Sequence, residues 1–264
     1  MTLATHRKQL IKLLREASRR RNLYDVFDDF VTMAALAVAN AVDLHQRDTR
    51  EAEYMRIVGR YEPDEVALFP QMLAITTEAL EAEPRDFLGE VFGELELGNA
   101  ARGQFFTPSE VCRLMASVTV GSTEQLQQLV DERGYIRVHE PACGAGAMLI
   151  AFAEEFAARG FSRSRQMHVV AIDVDRRAAL MCYLQLSLLG IPAEIVVGNA
   201  LTLECREQWF TPVHILEGWT WRLRRTGGAS SAVEKPEHPA PDVPACTTDA
   251  PAAAAPAAPQ LTLF

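Results

Sequence analysis

Apolar and polar residues recur at the spacing of amphipathic helices through the first hundred positions. Residues 4–21 put leucines on one side and a run of lysines and arginines around the other, and residues 24–42 carry an alanine-rich apolar stripe. Three prolines suit helix boundaries, with first turns at Pro63 and Pro84 and an interruption at Pro70. The pattern predicts a helical lead-in over residues 1–100.

The pattern changes after a breaker-rich run at residues 98–103. Thr107 suits a helix N-cap, with Pro108 at the first helical position. The helix that they open carries an apolar stripe that we expect to be buried: Val111, Leu114, Met115 and Val118. Residues 121–134 have the composition of a polar connection.

Short apolar strands then alternate with longer helical segments. The strands are expected at residues 136–140, 167–172 and 194–197, and the helices at 147–158 and 176–189. Strands separated by helices predict crossover connections and a parallel sheet. Because no further strand is recognisable after Leu201, residues 101–225 predict a truncated doubly wound, Rossmann-like α/β sheet. Its first strand would have an open edge, which we expect residues 209–223 to cover.

Composition shifts again at residue 226. Half of the fourteen prolines lie between residues 236 and 259, interleaved with alanine. Such a segment cannot bury enough apolar surface to fold, so residues 226–264 predict a disordered linker. The linker ends in a more apolar pentapeptide at residues 260–264.

Charge and cysteine usage narrow the function classes. A net charge of -9 and a pI of about 5.2 argue against a general nucleic-acid coat protein, so any DNA contact must be local or come through a partner. The basic helix at residues 4–21 is either such a contact or an ordinary solvated helix face. Five cysteines without a Cys-x-x-Cys pair favour reduced thiols and a cytoplasmic protein over a disulfide framework or a zinc site. No apolar run is long enough to span a bilayer.

The clearest chemical signal is the run from Val138 to Gly146. A strand ends at Glu140, passes through the turn that holds Gly144 and Gly146, and hands over to an apolar helix. Glycines let a ligand approach the backbone, and the free N–H groups of a helix N-terminus face it, so the run predicts a site for a nucleotide-like ligand. A dinucleotide site would need three glycines, and this turn offers two.

Four motifs in order resemble the S-adenosylmethionine-binding motifs of the adenine-N6 DNA methyltransferases. They are Gln104-Phe105-Phe106-Thr107-Pro108, Glu140-Pro141-Ala142-Cys143-Gly144-Ala145-Gly146, Ile172-Asp173-Val174-Asp175 and Gly198-Asn199-Ala200-Leu201. The modification subunits of bacterial type I restriction-modification systems are the most similar members. The resemblance implies S-adenosylmethionine as cofactor, DNA as substrate and a specificity-type subunit as partner.

The resemblance also implies a role for each matched residue. Glu140 would accept hydrogen bonds from the cofactor's ammonium group, and Asp173 from both ribose hydroxyls, while Asp175 suits a helix cap. Asn199 would lie near the cofactor's adenine. The remaining cofactor contacts are a closing loop and the turn itself: Phe106, Thr107, Pro108, Pro141, Ala142, Cys143, Gly144 and Gly146. Cys143 has no group beside it in the sequence that would activate a thiolate, so it is expected to be a small filler residue.

One motif of the family is missing from these residues. Members hold a flipped adenine with an Asn-Pro-Pro-Tyr or Asn-Pro-Pro-Phe motif, and no Asn-Pro-Pro occurs in the chain. Trp209, Trp219 and Trp221 follow instead. They either stack on a base or cover the sheet.

The C-terminal pentapeptide resembles the short motif with which bacterial replication and repair proteins dock into the DNA sliding clamp. Its matching anchor positions are Gln260, Leu261, Leu263 and Phe264. A docking peptide at the end of a linker could reach the pocket of such a partner.

Two functions follow from these patterns. The chain is either a DNA adenine-N6 methyltransferase whose acceptor motif comes from a partner, or a catalytically inactive relative that acts as a binding or regulatory module of a mobile element or restriction system. A methyltransferase for small molecules is disfavoured by the loop at Phe106, Thr107 and Pro108 and by the long helical lead-in.

Overall fold

The computed structural model describes residues 2–95, 107, 109–227 and 261–262. Helices fill the first part of the described chain, as the periodicity predicts. They are α1 Leu3–Ala17, α2 Leu23–Asn40, α3 Arg47–Val58, α4 Pro63–Val66, α5 Leu68–Ala82 and α6 Phe87–Glu94. Buried side chains such as Leu10, Phe27 and Leu88 join an apolar core that continues into the sheet.

The basic side of α1 uses part of its charge within the molecule. Arg7 reaches two carboxylates of α6, at 3.2 Å from Glu90 and 2.6 Å from Glu94. Arg20, in the turn just after α1, lies 3.9 Å from Glu62. These pairs favour the solvated helix face over a phosphate contact.

The prolines of the lead-in confirm two expectations and correct one. Pro63 begins α4 behind a capping box made by Glu62. The helix breaks at Ala67, and Pro70 falls in the first turn of α5, where its missing N–H costs nothing. Pro84 lies in the loop before α6, which is capped by Asp86, so its placement in a first turn was wrong.

The region before the sheet differs from the prediction in two ways. The apolar stripe of α7 (Ser109–Val120) is not buried, since Val111, Leu114 and Val118 are 42%, 66% and 75% exposed. The helix packs through smaller residues, among them Cys112 and Ala116. The expected polar connection is a second helix, α8 (Thr123–Arg133), which begins at a capping box formed by Ser122 and Gln125.

The sheet contains the three predicted parallel strands. They are β1 Ile136–Glu140, β2 Met167–Asp173 and β3 Ala193–Asn199, joined by α9 Ala147–Ala158 and α10 Arg176–Leu188. β1 pairs with β2 and β2 with β3, both parallel, with Glu140 opposite Ala171 and Asp173 opposite Val197. The carboxyl ends of the strands therefore meet at one edge of the sheet, next to the glycine turn.

The truncated doubly wound sheet is present as predicted, but it does not stop at three strands, so the expectation that no strand follows β3 is wrong within the described residues. β4 (Glu204–Phe210) pairs antiparallel with β3, and its first residues are charged because one side of this edge strand faces solvent. Gly198 permits the close approach of the two strands, since a Cβ there would collide with the backbone of Glu204. The strand order is β4-β3-β2-β1-β5, with β5 at Leu261–Thr262.

Residues 209–223 do not cover the edge of β1, because β5 pairs there instead. They form the end of β4, then α11 (Pro212–Leu216) and the first part of α12 (Trp219–Gly227). Trp209 and Trp219 are buried, which assigns them to the sheet's own packing, whereas Trp221 is 61% exposed. Trp219 packs on Tyr135 and on a buried histidine of β2, His168.

Two expectations drawn from composition can be compared with the structure. Cys112, Cys143 and Cys182 are free thiols, as expected of reduced cysteines, and Cys246 lies outside the described residues. Among the described helices, none is both long enough and apolar enough to cross a membrane.

Candidate cofactor-binding site

The turn between β1 and α9 is held against the neighbouring strand. The Cys143 N–H donates to the Ile172 carbonyl at 2.8 Å, which carries the β1–β2 pairing past the end of β1. Gly144 and Gly146 both have positive φ, at 54° and 96°, and Gly146 caps the N-terminus of α9. A strand, a tight turn and a helix start were predicted at these positions, and all three are present.

The two glycines answer different steric requirements. At Gly144 a Cβ would point into open space, with nothing within 4 Å. At Gly146 a Cβ would lie 3.0 Å from the Cys182 sulfur of α10, tighter than ordinary packing. Gly146 therefore lets the turn pack on α10, and Gly144 leaves room beside the turn.

Glu140 ends β1 with a carboxyl group that is only partly satisfied. The residue is 4% exposed, and its Oε1 accepts the Ala142 N–H at 3.1 Å. Its Oε2 is buried with no hydrogen-bond partner in the structure. Burial, and secondarily the charge of Asp173, raise the pKa of Glu140 to about 7.

Asp173 ends β2 and ties the turn to the sheet. Its Oδ2 accepts the Gly144 N–H at 2.8 Å, and its Oδ1 accepts the Asp175 N–H at 2.8 Å. Burial raises the pKa of this carboxyl, while the backbone N–H groups lower it. Asp175 caps α10 by accepting from the Arg177 N–H at 2.8 Å, as predicted.

Asn199 ends β3, and its side chain accepts hydrogen bonds from the turn that follows. Its Oδ1 accepts the N–H of Leu201 at 2.9 Å and that of Thr202 at 3.4 Å. The amide oxygen is thus taken up by the turn, and the amide nitrogen is the better-placed group for a ligand.

Cys143 is buried beside a second thiol, Cys182. Contact with Cys182 and burial raise the pKa of Cys143 well above its usual range. A thiol that stays protonated is not a nucleophile, which agrees with the role of a small filler residue.

The other predicted site residues lie in the turn itself, at a separate cavity, or outside the described residues. Pro141 is half-buried and Ala142 exposed in the turn itself. Thr107 is exposed and lines a cavity of about 950 Å³ between α1, α6, α7 and α9, whose lining includes neither Glu140 nor Asp173. Outside the described residues lie Phe106, Pro108, Gln260, Leu263 and Phe264, and of Leu261 only the backbone is described.

A buried polar network beneath the turn escaped the sequence reasoning. Gln185 of α10 donates through Nε2 to Asp86 at 2.9 Å and to the Ala145 carbonyl at 2.8 Å, and accepts the Leu88 N–H at 3.0 Å. Burial raises the pKa of Asp86 to about 6. The sequence does carry one signal for this network, a single glutamine within the mostly apolar pattern of α10.

The residues at the turn fit an S-adenosylmethionine-like ligand. The orphan Oε2 of Glu140 needs a donor, and an ammonium group supplies one. Each oxygen of Asp173 accepts one N–H and keeps acceptor capacity for a hydroxyl. The open space at Gly144 lies beside the Asp173 carboxyl, which accepts the Gly144 N–H.

A parallel α/β sheet with a glycine turn and acidic residues at the ends of two neighbouring strands defines a ligand-binding protein of the nucleotide-binding class. The model of the N-6 DNA methylase family matches residues 85–216, half of the 264 residues. The chain belongs to that family, and S-adenosylmethionine is the cofactor that membership implies.

Comparisons with solved structures and with curated proteins add no further evidence on function. A crystal structure of a Listeria monocytogenes protein assigned to the class I S-adenosylmethionine-dependent methyltransferases is similar at 12% identity, with a TM-score of 0.39 over 84% of this chain and 70% of that one. A similarity of this size carries no argument. No curated protein matches the sequence.

Proposed function

We propose that this chain binds S-adenosylmethionine at the β1–α9 turn and acts on DNA as the cofactor-binding half of an adenine-N6 methyltransferase. The groups that hold the target adenine would come from outside these 264 residues. The observation that carries the proposal is the buried, unpartnered Oε2 of Glu140, whose carboxyl group lies within the electrostatic influence of Asp173.

Each residue of the turn has a part in this proposal. Glu140 holds the ammonium group, Asp173 the ribose hydroxyls, and the backbone at Gly144 leaves room for the ligand between them. Asn199 lies at the end of the next strand, where it can meet the adenine ring. The bound cofactor would supply an electrophilic methyl group on its sulfonium, and these residues orient it and shield it from water.

The missing acceptor motif is the reason for involving a partner. Catalysis in this family needs an adenine held with its amine toward the methyl group, and no Asn-Pro-Pro run exists in the chain to hold it. Trp209 and Trp219 are buried in the sheet's packing and do not offer a stacking surface. A specificity-type subunit, or another chain with the acceptor motif, would complete the site.

Cofactor binding is tested by calorimetric titration with S-adenosylmethionine. We expect Glu140→Gln and Asp173→Ala each to weaken binding at least tenfold. Glu81→Gln, which removes an exposed carboxylate of α5, is the matched control and should bind as the unaltered chain does. Unchanged affinity in both site variants would refute the proposed site.

Methyl transfer is tested separately with labelled cofactor and DNA. We expect no transfer by the chain alone and transfer when a subunit with the acceptor motif is added. Clear turnover by the isolated chain would remove the need for a partner, and with it the second candidate below.

The second candidate function is a catalytically inactive binding or regulatory module. The same missing acceptor motif favours it. Cofactor binding is common to both candidates, so the transfer assays, with the isolated chain and with an added acceptor subunit, separate them.

The C-terminal peptide adds a further part to this proposal. Gln260, Leu261, Leu263 and Phe264 match the anchors of a clamp-docking peptide, which would bring the chain to replicating or repaired DNA. A titration with purified sliding clamp tests it. Binding that survives the double change Leu263→Ala and Phe264→Ala would contradict the assignment.

A further inference from the structure

The outer face of α12 places an aromatic ring beside two arginines. Trp221 is 61% exposed, and the guanidinium group of Arg225 lies over its ring, 4.4 Å from the centroid. Arg224, the neighbour of Arg225 in the helix, is exposed as well. Both the ring and the cations are therefore open to a ligand from solvent.

The opposite side of α12 holds this face outward. Trp219 is buried against Tyr135, and its Nε1 donates to the Ser164 carbonyl at 3.2 Å. A helix turns by about 100° per residue, so Trp221 and Arg225 lie on the far side from Trp219. The packing of Trp219 thus fixes the exposed ring in position.

Arginines of neighbouring segments extend the positive charge of this face. Arg222 donates to the Arg165 carbonyl at 2.7 Å and so joins α12 to the loop before β2. The side chains of Arg165 and of Arg137, in β1, are exposed. Burial lowers the pKa of His168, and the charges of Arg137 and Arg222 lower it further, so both arginines lie near this ring. We call the exposed set the α12 surface: Arg137, Arg165, Trp221, Arg224 and Arg225.

The arginines of the α12 surface are not neutralised within the described part of the chain. None of the four pairs with a described carboxylate, whereas the nearby Arg163 pairs with Glu154. The chain as a whole has a net charge of -9, so this surface differs in sign from the rest of the molecule. A local positive surface of this kind attracts an anionic partner.

The α12 surface lies away from the cofactor turn. Tyr135 and Arg165 precede β1 and β2, so α12 packs near the amino ends of the parallel strands, whereas Glu140 and Asp173 end them. A partner bound at α12 is therefore not the group that receives the methyl. The surface goes beyond the proposed function, because it is a second contact that does not need the cofactor.

We propose that the α12 surface binds single-stranded nucleic acid, with its arginines on the phosphates and Trp221 stacked on a base. Arginine and an exposed aromatic ring are the combination with which proteins hold single strands. In a duplex each base is already stacked on its neighbours, so an exposed indole favours an unpaired strand. Because every base has a π-face, we expect little dependence on sequence.

The charge of the surface is tested by fluorescence anisotropy of the full chain with a labelled oligothymidylate about 20 nucleotides long, without cofactor. The double variant Arg224→Gln and Arg225→Gln should bind at least tenfold more weakly. The dependence of log K on log salt should become shallower by about 1.4, since each phosphate contact of a single strand contributes about 0.7. Lys8→Gln with Lys12→Gln removes the same charge from exposed positions of α1 and is the matched control, which should change neither quantity.

The ring is tested separately by Trp221→Ala. We expect about tenfold weaker binding from the loss of one stacked base, with an unchanged salt dependence, and we expect Trp221→Phe to retain most of the affinity. All the changed side chains are exposed, so circular dichroism and urea unfolding should be the same for every variant.

Three outcomes would overturn the proposal. Absence of oligothymidylate binding by the unaltered chain, or an equal loss in the α1 control, would show that α12 is not a nucleic-acid surface. Tighter binding to a duplex of the same length, unaffected by Trp221→Ala, would remove the single strand and the stacked base. Binding to phosphatidylserine vesicles that oligothymidylate does not displace would assign the surface to a lipid headgroup. Glu140→Gln should bind oligothymidylate as the unaltered chain does, so failure here and failure of the proposed function are separate results.

Discussion

The buried carboxyl group of Glu140 destabilises the protein without ligand when it is ionised, because one of its oxygens has no hydrogen-bond partner. Its pKa of about 7 exceeds the ordinary value of 4.5, because burial disfavours the charge. An unfolded chain ionises this group at lower pH, so Glu140 costs the empty protein stability as the pH rises from about 4.5 through 7.

Glu140→Gln should therefore stabilise the empty protein while weakening cofactor binding. At pH 8 we expect a gain of about 2 kcal/mol in the free energy of unfolding, measured in urea, because the variant has no buried charge. At pH 5 the gain should fall to about a quarter of that at pH 8, since Glu140 is then protonated in the folded protein and the pH is only just above the unfolded pKa of 4.5. A loss of stability at pH 8 would contradict this account of the site.

The binding constant of S-adenosylmethionine should follow the same titration. An ammonium group binds the ionised carboxylate better, so affinity of the unaltered chain should rise between pH 6 and 8, around the pKa of about 7. Glu140→Gln should remove that rise. An affinity that is flat across this range in the unaltered chain would mean that Glu140 does not hold the ammonium.

Alanine substitutions at Gly144 and Gly146 should have different effects, because Gly144 leaves space for the ligand and Gly146 allows the turn to pack on α10. Gly146→Ala combines a φ of 96° with a Cβ 3.0 Å from the Cys182 sulfur, and we expect a loss of about 2 kcal/mol in urea unfolding. Gly144→Ala meets no neighbouring atom, so about 1 kcal/mol of backbone strain is expected, together with a clear loss of cofactor affinity. Equal effects of the two changes on both measurements would contradict this division.

At the scale of elements, the helices of the lead-in and the strand, turn and helix around Glu140 were predictable, because each carries its own local signal. α9 was placed to the residue, since its apolar run follows directly on Gly146. The strand β4 and the exposure of the apolar stripe of α7 were not predictable from the sequence. β4 is a polar edge strand whose pairing depends on β3, and the burial of Val111, Leu114 and Val118 depends on what lies opposite α7.

The same distinction applies to the site. Glu140 and Asp173 were predicted as site residues because both end strands beside a recognisable turn. Gln185 was not, because its partners Asp86 and Ala145 are 99 and 40 residues away in the chain. No local pattern encodes a contact at that separation.

A pair of buried histidines fastens α11 to the sheet and should make this element sensitive to acid. The Nε2 of His168 lies 2.9 Å from the Nδ1 of His214, whose Nε2 lies 2.9 Å from the Thr220 hydroxyl. Burial lowers the pKa of His214 to about 4, and burial and His214 lower that of His168. Both rings are therefore neutral in the folded protein at pH 7.

Protonation should weaken this element in a defined window. The unfolded chain binds protons at His214 below pH 6.5 and the folded protein only near pH 4, so stability falls as the pH drops between these values. His214→Gln should cost about 2 kcal/mol at pH 7.5, through lost hydrogen bonds, and about 1 kcal/mol less at pH 5.5. Urea unfolding at both pH values measures the difference, and a cost independent of pH would contradict a neutral His214.

At the scale of the whole molecule, the helical lead-in packs against α10, the helix on which the β1–α9 turn rests. α10 packs against α2, with Arg177 2.9 Å from Asp28 and over the Tyr24 ring at 3.8 Å. A second arginine of α10, Arg176, reaches Glu53 of α3 at 3.1 Å. Changes in the lead-in can therefore reach the site through α10.

A substitution of Gln185 tests whether the helical lead-in is coupled to the site through α10. Only one orientation of its amide satisfies the Asp86 carboxylate, the Ala145 carbonyl and the Leu88 N–H together. Gln185→Ala would remove these three buried hydrogen bonds at once, so we expect a loss of about 3 kcal/mol in urea unfolding and weaker cofactor binding. Gln127→Ala is the matched control, because it removes an amide–carboxylate bond to Asp131 on the exposed side of α8 and should cost under about 0.5 kcal/mol. If Gln185→Ala destabilised the protein but left cofactor affinity unchanged, the network would hold the fold without holding the turn, and the lead-in would have no route to the site through Gln185.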